Sequence, residues 1–289
     1  MIAFTKKTWS TVHTTIKVFI IYTLCVVALS LISSYFIKNT YPYKSSGIYD
    51  EGFYIGVLGS ANSSIIDFLV IGVLVFFLDK RNSLKEESDV MMTDLRDYAT
   101  HSSLELDLKK AGLIQRLNKN NIKTINIQRI RIHKVDLKNF ALYESDLSGL
   151  SLIGSKLENI EFDKCTLRSI NLTTAKMKKV IFKNSMLKNM KAIDGNFSSA
   201  VEFHDTILLN ANFTNSNFRS CLFFNCNMED VNYEKADLRS ANLKGSYNIN
   251  INKLCRAKNL DYMIADQLIL DGIKTLRPDV KFNNGNPNP

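Results

Sequence analysis

Residues 231–245 read VNYEKADLRSANLKG. In this stretch Tyr233, Leu238 and Leu243 stand five residues apart, and Val231, Ala236 and Ala241 stand two before them. The same step runs back through Met228, Phe223, Phe218, Phe213, Leu208 and Phe203. One extra residue then intervenes. The series resumes at Phe197, Ala192, Leu187, Phe182, Met177, Leu172, Leu167 and Phe162, and continues through Leu157, Leu152, Leu147, Leu142, Leu137 and Ile132 to Ile127. Small side chains recur two before these centres, as at Ser145, Ser155, Cys165, Ala175, Ser185, Ala211, Cys221 and Cys226. A helix repeats every 3.6 residues and a flat strand every 2, so neither sustains a period of five. A fixed period marks an architecture in which each unit is buried by its neighbours.

A unit that turns a corner every five residues closes a square coil after four units. The centre and the residue two before it then point inward, and the remaining positions face solvent. Centres twenty residues apart should stack. Across the extra residue this puts Leu142, Phe162, Phe182, Phe203, Phe223 and Leu243 in one column, an internal aromatic ladder. The extra residue predicts a bulge or short loop at Asp194–Gly195 or at Ser198–Ala200.

The units Ala236-Asp237-Leu238-Arg239-Ser240 and Ala241-Asn242-Leu243-Lys244-Gly245 resemble the A(D/N)Lxx consensus of the pentapeptide-repeat family. Val135-Asp136-Leu137, Ser145-Asp146-Leu147, Ile170-Asn171-Leu172, Ala211-Asn212-Phe213 and Val231-Asn232-Tyr233 resemble it too, over roughly 125–247. The resemblance implies an all-β right-handed quadrilateral β-helix. It implies little about function, because the family is functionally diverse. Some members mimic DNA and engage topoisomerases. Here 125–247 holds 17 Lys+Arg against 13 Asp+Glu, a net of +4 (17 − 13), which argues against an anionic mimic.

The long apolar runs lie before the repeat. Ile16–Ile37 reads IKVFIIYTLCVVALSLISSYFI, and a second, less even stretch covers Tyr54–Leu78. About 20 apolar residues suffice to span a bilayer. Lys6, Lys7 and Lys17 precede the first run, and Lys80, Arg81 and Lys85 follow the second. The excess of basic residues on the cytoplasmic side of spans predicts a multi-pass protein of the inner (plasma) membrane. Both termini and the repeat would then be cytoplasmic, and the loop around Asn39–Glu51 would face outward. Asp67 lies inside the second run, where an ionisable residue is a functional candidate. The plainer reading is a hydrated or paired group near the outer interface.

Residues 79–121 are charged and helix-favouring. Leu104, Leu108, Ala111 and Ile114 follow helical spacing and predict one apolar face. After Tyr247 the period of five fades, and Ile251–Leu260 reads as a short amphipathic helix covering the last coil. The expected organisation is a transmembrane hairpin over 1–81 with spans at about 16–37 and 57–78 and a helical connector over 82–121, followed by the β-helix over 122–248 and a helical cap with a disordered tail over 249–289.

The cysteines Cys25, Cys165, Cys221, Cys226 and Cys255 form no CxxC pair and read as reduced thiols. The histidines His13, His101, His133 and His204 are scattered, and His133 and His204 would face solvent. The chain contains no GxxxxGK[ST], HExxH or GxSxG, so no enzyme, cofactor or metal site is expected. The candidate interaction surface is Lys176, Lys178, Lys179, Lys183, Lys188 and Lys191, spread over more than one face. A solvated basic surface or anionic lipid fits it better than nucleic acid. The leading expectation is a membrane-tethered scaffold for a cytoplasmic protein partner. The alternative is a stress or phage-defence effector acting through oligomerised hairpins.

Overall fold

The computed structural model describes residues 14–40 and 51–282. Residues 41–50 of the expected outward loop and the 283–289 tail therefore lie outside the described residues. Contacts divide the chain into two units, Met1–Glu86 and Glu87–Pro289.

The first unit contains α1 (Thr14–Thr40) and the greater part of α2 (Glu51–Asp97). The two helices meet where Tyr22 Oη lies 2.7 Å from Ser64 Oγ and the Tyr22 ring stacks on Phe68 at 4.4 Å. Large apolar side chains on both helices are exposed, among them Ile21, Leu24, Leu31, Ile55, Val70 and Phe77. Among the described residues, however, no helix is long and apolar enough to cross a membrane. The two expected spans thus have no counterpart among the described residues.

The second unit is a parallel β-solenoid. Its sheet runs in sequence order through β1 (Asp136–Tyr143), β2 (Lys156–Asp163), β3 (Lys176–Lys183), β4 (Asn196–His204) and β5 (Leu222–Phe224). Asp136 pairs with Lys156 and Lys156 with Lys176, so each coil takes 20 residues. Single bridges stack the other faces, as in the column Arg131, Ser151, Asn171, Lys191, Asn212 and Asn232. The inward centres are buried, and the rings of Phe162, Phe182, Phe203 and Phe223 stack at 5.1, 5.0 and 4.9 Å, as the step of twenty predicts.

Three local devices explain why five residues make a corner. At several centres an Asp or Asn stands one residue before and accepts a hydrogen bond from the backbone N–H two residues on, as in Asn171 to Thr173 (3.1 Å) and Asn242 to Lys244 (3.0 Å). This is an Asx-turn. The residue two after the centre takes left-handed backbone, as at Asn139 (φ 56°), Asn159 (φ 55°) and Gly245 (φ 74°). The small inward residues also tie coils together. Ser155 Oγ accepts from Val135 N–H at 3.2 Å and donates to Ile132 O at 2.9 Å, and Ser185 and Ser246 accept from Cys165 and Cys226. Their small size leaves room for the aromatic column, and their hydroxyls satisfy backbone that the corners leave unpaired.

The extra residue sits in β4. Lys176 pairs with Asn196 but Lys178 with Ser199, and Ala200 takes φ 54°. Of the two expected places, the bulge occupies Ser198–Ala200. Gly195 is held elsewhere by packing, because a Cβ there would overlap the Phe197 ring.

Both ends differ from expectation. The second unit opens with the end of α2 and with α3 (Leu104–Lys119), whose start is capped by Ser103. The buried face of α3 is Asp107, Lys110, Ala111, Leu113, Ile114 and Leu117, while Leu104 and Leu108 are 67% and 55% exposed. The buried face is centred on Lys110, Ile114 and Leu117, which leaves Leu104 and Leu108 outside it. At its end Asn118 imitates a strand, because its Nδ2 donates to Ala141 O at 2.5 Å and its Oδ1 accepts from Ala141 N–H at 3.4 Å. This covers part of the β1 edge.

At the other end the helix expected over Ile251–Leu260 is only α4 (Ile251–Leu254). The chain then rejoins the stack. Leu238 N–H donates to Asn259 O at 2.9 Å and Leu243 N–H to Ile264 O at 2.7 Å, and Leu260 is fully buried. Asn259 makes the same Asx-turn, and Tyr262 takes the same left-handed corner. The stack thus runs past residue 248, and the cap is α5 (Gln267–Leu276) with Ile269 and Ile273 buried. The Arg277 guanidinium closes the end by donating to the carbonyls of Cys255 and Ala257, both at 3.0 Å, while Asp279 holds it with two further bonds of 2.8 Å.

Candidate interaction surface

The six candidate lysines do not form one patch. Lys176, Lys178, Lys179 and Lys183 stand on β3, while Lys188 and Lys191 follow it on other faces of the coil. On β3 two of the four charges are matched by the preceding coil. Glu158 lies 2.8 Å from Lys178 and 3.3 Å from Lys138, and the two ammonium groups hold its carboxyl below the usual range. Glu161 lies 2.8 Å from Lys183. These are exposed ladders, each pair contributing little to stability. They turn a basic run into a surface of alternating sign, a poor match for the continuous negative charge of a nucleic-acid backbone.

Lys179 borders a groove of about 300 Å³ on the outer face of β1 to β3, next to the end of α3. Asn118, Asn139, Asn159, Glu161 and Ile181 also line it. Asn159 Nδ2 donates to Asn139 Oδ1 at 2.9 Å, so a row of carboxamides leads to the Lys179 position one coil on. The groove can present amide donors, an ammonium group, a carboxylate and a small apolar floor to an extended chain.

Asp67 lies on α2 with its side chain exposed, within one turn of Ser63, whose Oγ donates to Ser60 O at 2.9 Å. His133 and His204 are not simply solvated. His204 Nε2 lies 2.8 Å from Glu202, and both ring nitrogens of His133 have partners. Asp107, Lys110, Ser102 and Ser151, which surround His133, are not among the residues the sequence singles out. The available signal is a charged pair at i, i+3 inside the apolar stripe Ala111, Ile114 and Leu117. Among the described residues no group of His, Cys, Asp and Glu is placed to hold a metal.

The family model for pentapeptide repeats matches residues 216–247, in eight copies. That part of the solenoid is similar in sequence to pentapeptide repeats. The chain is similar to HetL, a pentapeptide-repeat protein involved in heterocyst differentiation regulation in the cyanobacterium Nostoc, at 20% identity over 54% of this chain and 76% of that one, with a TM-score of 0.35. It is similar to a pentapeptide-repeat protein of the Arabidopsis thaliana thylakoid lumen at 16% identity over 42% and 89%, with a TM-score of 0.34. It is similar to the plasmid-mediated fluoroquinolone resistance protein QnrB1 at 14% identity over 55% and 94%, with a TM-score of 0.27. No curated protein matches the chain.

Proposed function

We propose that the pentapeptide-repeat solenoid is a recognition scaffold for a cytoplasmic protein, held at the inner membrane by α1 and the first part of α2. One observation carries the recognition part. The inward positions of the solenoid are filled by its own packed side chains, so variation and the 300 Å³ groove both lie on the outside. We read it as a binding module rather than an enzyme. The membrane part rests on the apolar run Ile16–Ile37, on its basic flanks, and on the exposed apolar side chains of both helices. This reading places both termini and the solenoid in the cytoplasm.

The test is a tagged pull-down from mildly solubilised membranes, comparing the full chain with one truncated after Arg81. A protein captured only by the full chain supports the scaffold. Release of the full chain from membranes by alkaline carbonate would sink the tether. A second reading, an effector whose hairpins self-associate, is favoured by Asp67 and the Ser60–Ser64 polar run on α2. It gains if both samples contain only the protein itself, and it fails if overexpression leaves membrane potential unchanged and Asp67→Leu behaves as wild type.

A further inference from the structure

A polar cluster, buried at Asp107 and Lys110 and open to solvent at Ser102, fastens α3 to the first coil, and it stands independently of the membrane reading. Lys110 and Asp107 have side chains 0% and 2% exposed, with Lys110 Nζ 2.8 Å from Asp107 Oδ1. The ammonium also donates to His101 O at 2.5 Å and to Arg131 O, so two backbone carbonyls and the Asp107 carboxylate surround it. Asp107 Oδ2 accepts from Ser102 Oγ at 2.8 Å and from the His133 backbone N–H at 3.0 Å. The His133 ring completes the chain, with Nδ1 3.3 Å from Ser102 Oγ and Nε2 2.8 Å from Ser151 Oγ.

The donors can be assigned. A serine hydroxyl has one proton. Ser102 gives its proton to the Asp107 carboxylate, so it can only accept from His133. Nδ1 therefore carries the imidazole proton, and Nε2 accepts from Ser151. The order is Ser151 to His133 to Ser102 to Asp107, with Lys110 closing the far side. The cluster links the 98–103 turn, α3, the first coil and the next coil, beside the backbone bond from Arg131 N–H to Ala99 O at 2.8 Å.

This wiring suits a neutral ring. A proton at Nε2 makes both ring nitrogens donors and obliges the Ser151 hydroxyl to turn away. The new cation would face Asp107 and Lys110 from α3 and Arg131 and Lys134 from its own coil. That is one anion against three cations, and the anion already accepts two hydrogen bonds and pairs with Lys110. The turn contributes the His101 carbonyl and Ser102, and the next coil contributes Ser151, none of them charged. We propose that His133 is a proton-operated latch, whose protonation loosens the 98–103 turn and α3 from the first coil while the remaining coils stay closed.

Burial, with the neighbouring cations, holds His133 below its ordinary range, against the pull of Asp107. A base with a depressed native pKa is free of penalty above its unfolded value of about 6.5. The penalty grows as pH falls below that value and is complete once pH is below the native pKa. The test is hydrogen exchange on the full chain at about pH 7.5 and about pH 5.5, with rates corrected for intrinsic exchange. Residues 98–119 should lose protection at the lower pH, by up to about tenfold, while β2 to β4 keep theirs. His133→Gln, which keeps a donor and an acceptor but cannot titrate in this range, should show no loss. Equal protection at both pH values overturns the proposal, as does an undiminished loss in His133→Gln. If that variant does not fold, the imidazole titration of the wild-type chain decides. A midpoint below 6.5 that coincides with the loss of protection supports the latch, and a midpoint at or above it overturns it.

Discussion

Replacing Phe182 by leucine tests whether the aromatic column does more than fill volume. Phe182 is fully buried and stacks on Phe162 at 5.1 Å with planes 7° apart and on Phe203 at 5.0 Å with planes 6° apart. Leu142 and Leu243 lie at the ends of the same column, so this backbone position accepts leucine without rearrangement. An aromatic pair contributes about 0.5–1.5 kcal/mol beyond its buried area. Phe182→Leu removes two such contacts, so the column should lose about 1–3 kcal/mol from stacking alone. A double-mutant cycle isolates the term. Phe182→Leu combined with Phe203→Leu should show a coupling of about 0.5–1.5 kcal/mol. Phe162→Leu with Phe203→Leu, two coils apart, should be additive to about 0.3–0.5 kcal/mol. Because each coil touches only its neighbours, the readout should be local. Native-state hydrogen exchange of β3 and β4 in the full chain provides it. Equal couplings in the two cycles would refute a stacking contribution and leave only volume.

Gly195→Ala should destabilise by about 1–3 kcal/mol through overpacking against Phe197, and adding Phe197→Leu should restore part of the loss in a thermal melt. Tyr233 is fully buried and its hydroxyl has no hydrogen-bond partner among the described residues, so Tyr233→Phe should be neutral or raise the melting midpoint. A lowered midpoint would show that the hydroxyl is satisfied after all. Arg277→Ala should leave the carbonyls of Cys255 and Ala257 unpaired and release α5, at a local cost of about 1–3 kcal/mol, seen as faster exchange in 267–282 with β1 to β3 unchanged. Cys165, Cys221 and Cys226 are buried, and burial pushes their thiols up, so a thiol alkylator at mild pH should modify them only after denaturation. Labelling in the native chain would mean that the coils open.

How much could be read in the chain depended on whether the decisive partner lay at a fixed offset. The centres and the phenylalanine column follow from a constant step, because an inward position has one geometry in every coil. The place of the extra residue does not, since Asp194–Gly195 and Ser198–Ala200 both carry turn formers, and the choice is made by Phe197 filling the space beside Gly195. The face of α3 was misleading for a different reason. Hydropathy prefers Leu104 and Leu108, but the residues buried are Ala111, Leu113, Ile114 and Leu117 together with the Lys110–Asp107 pair. The return of the coil at Lys258–Ile264 is masked by the short α4 insertion, although Asn259-Leu260 repeats the Asn-Leu pair of the earlier units.

The lysines carry the same lesson into function. Read along the chain, Lys176, Lys178, Lys179 and Lys183 are a basic run. Read down the columns, Lys178 faces Glu158 one coil earlier and Lys183 reaches Glu161, so two of the four are already matched. The surface charge of a solenoid is a property of its columns, and a partner is met by rows of residues twenty apart. Lys179 is the member of the run whose column neighbours are the carboxamides Asn139 and Asn159, and it is also the one that borders the groove. A partner that uses this face should therefore respond to Lys179→Glu far more than to Lys178→Glu, in the same pull-down that tests the scaffold. Equal responses would mean that the partner reads net charge and that the groove is not its seat.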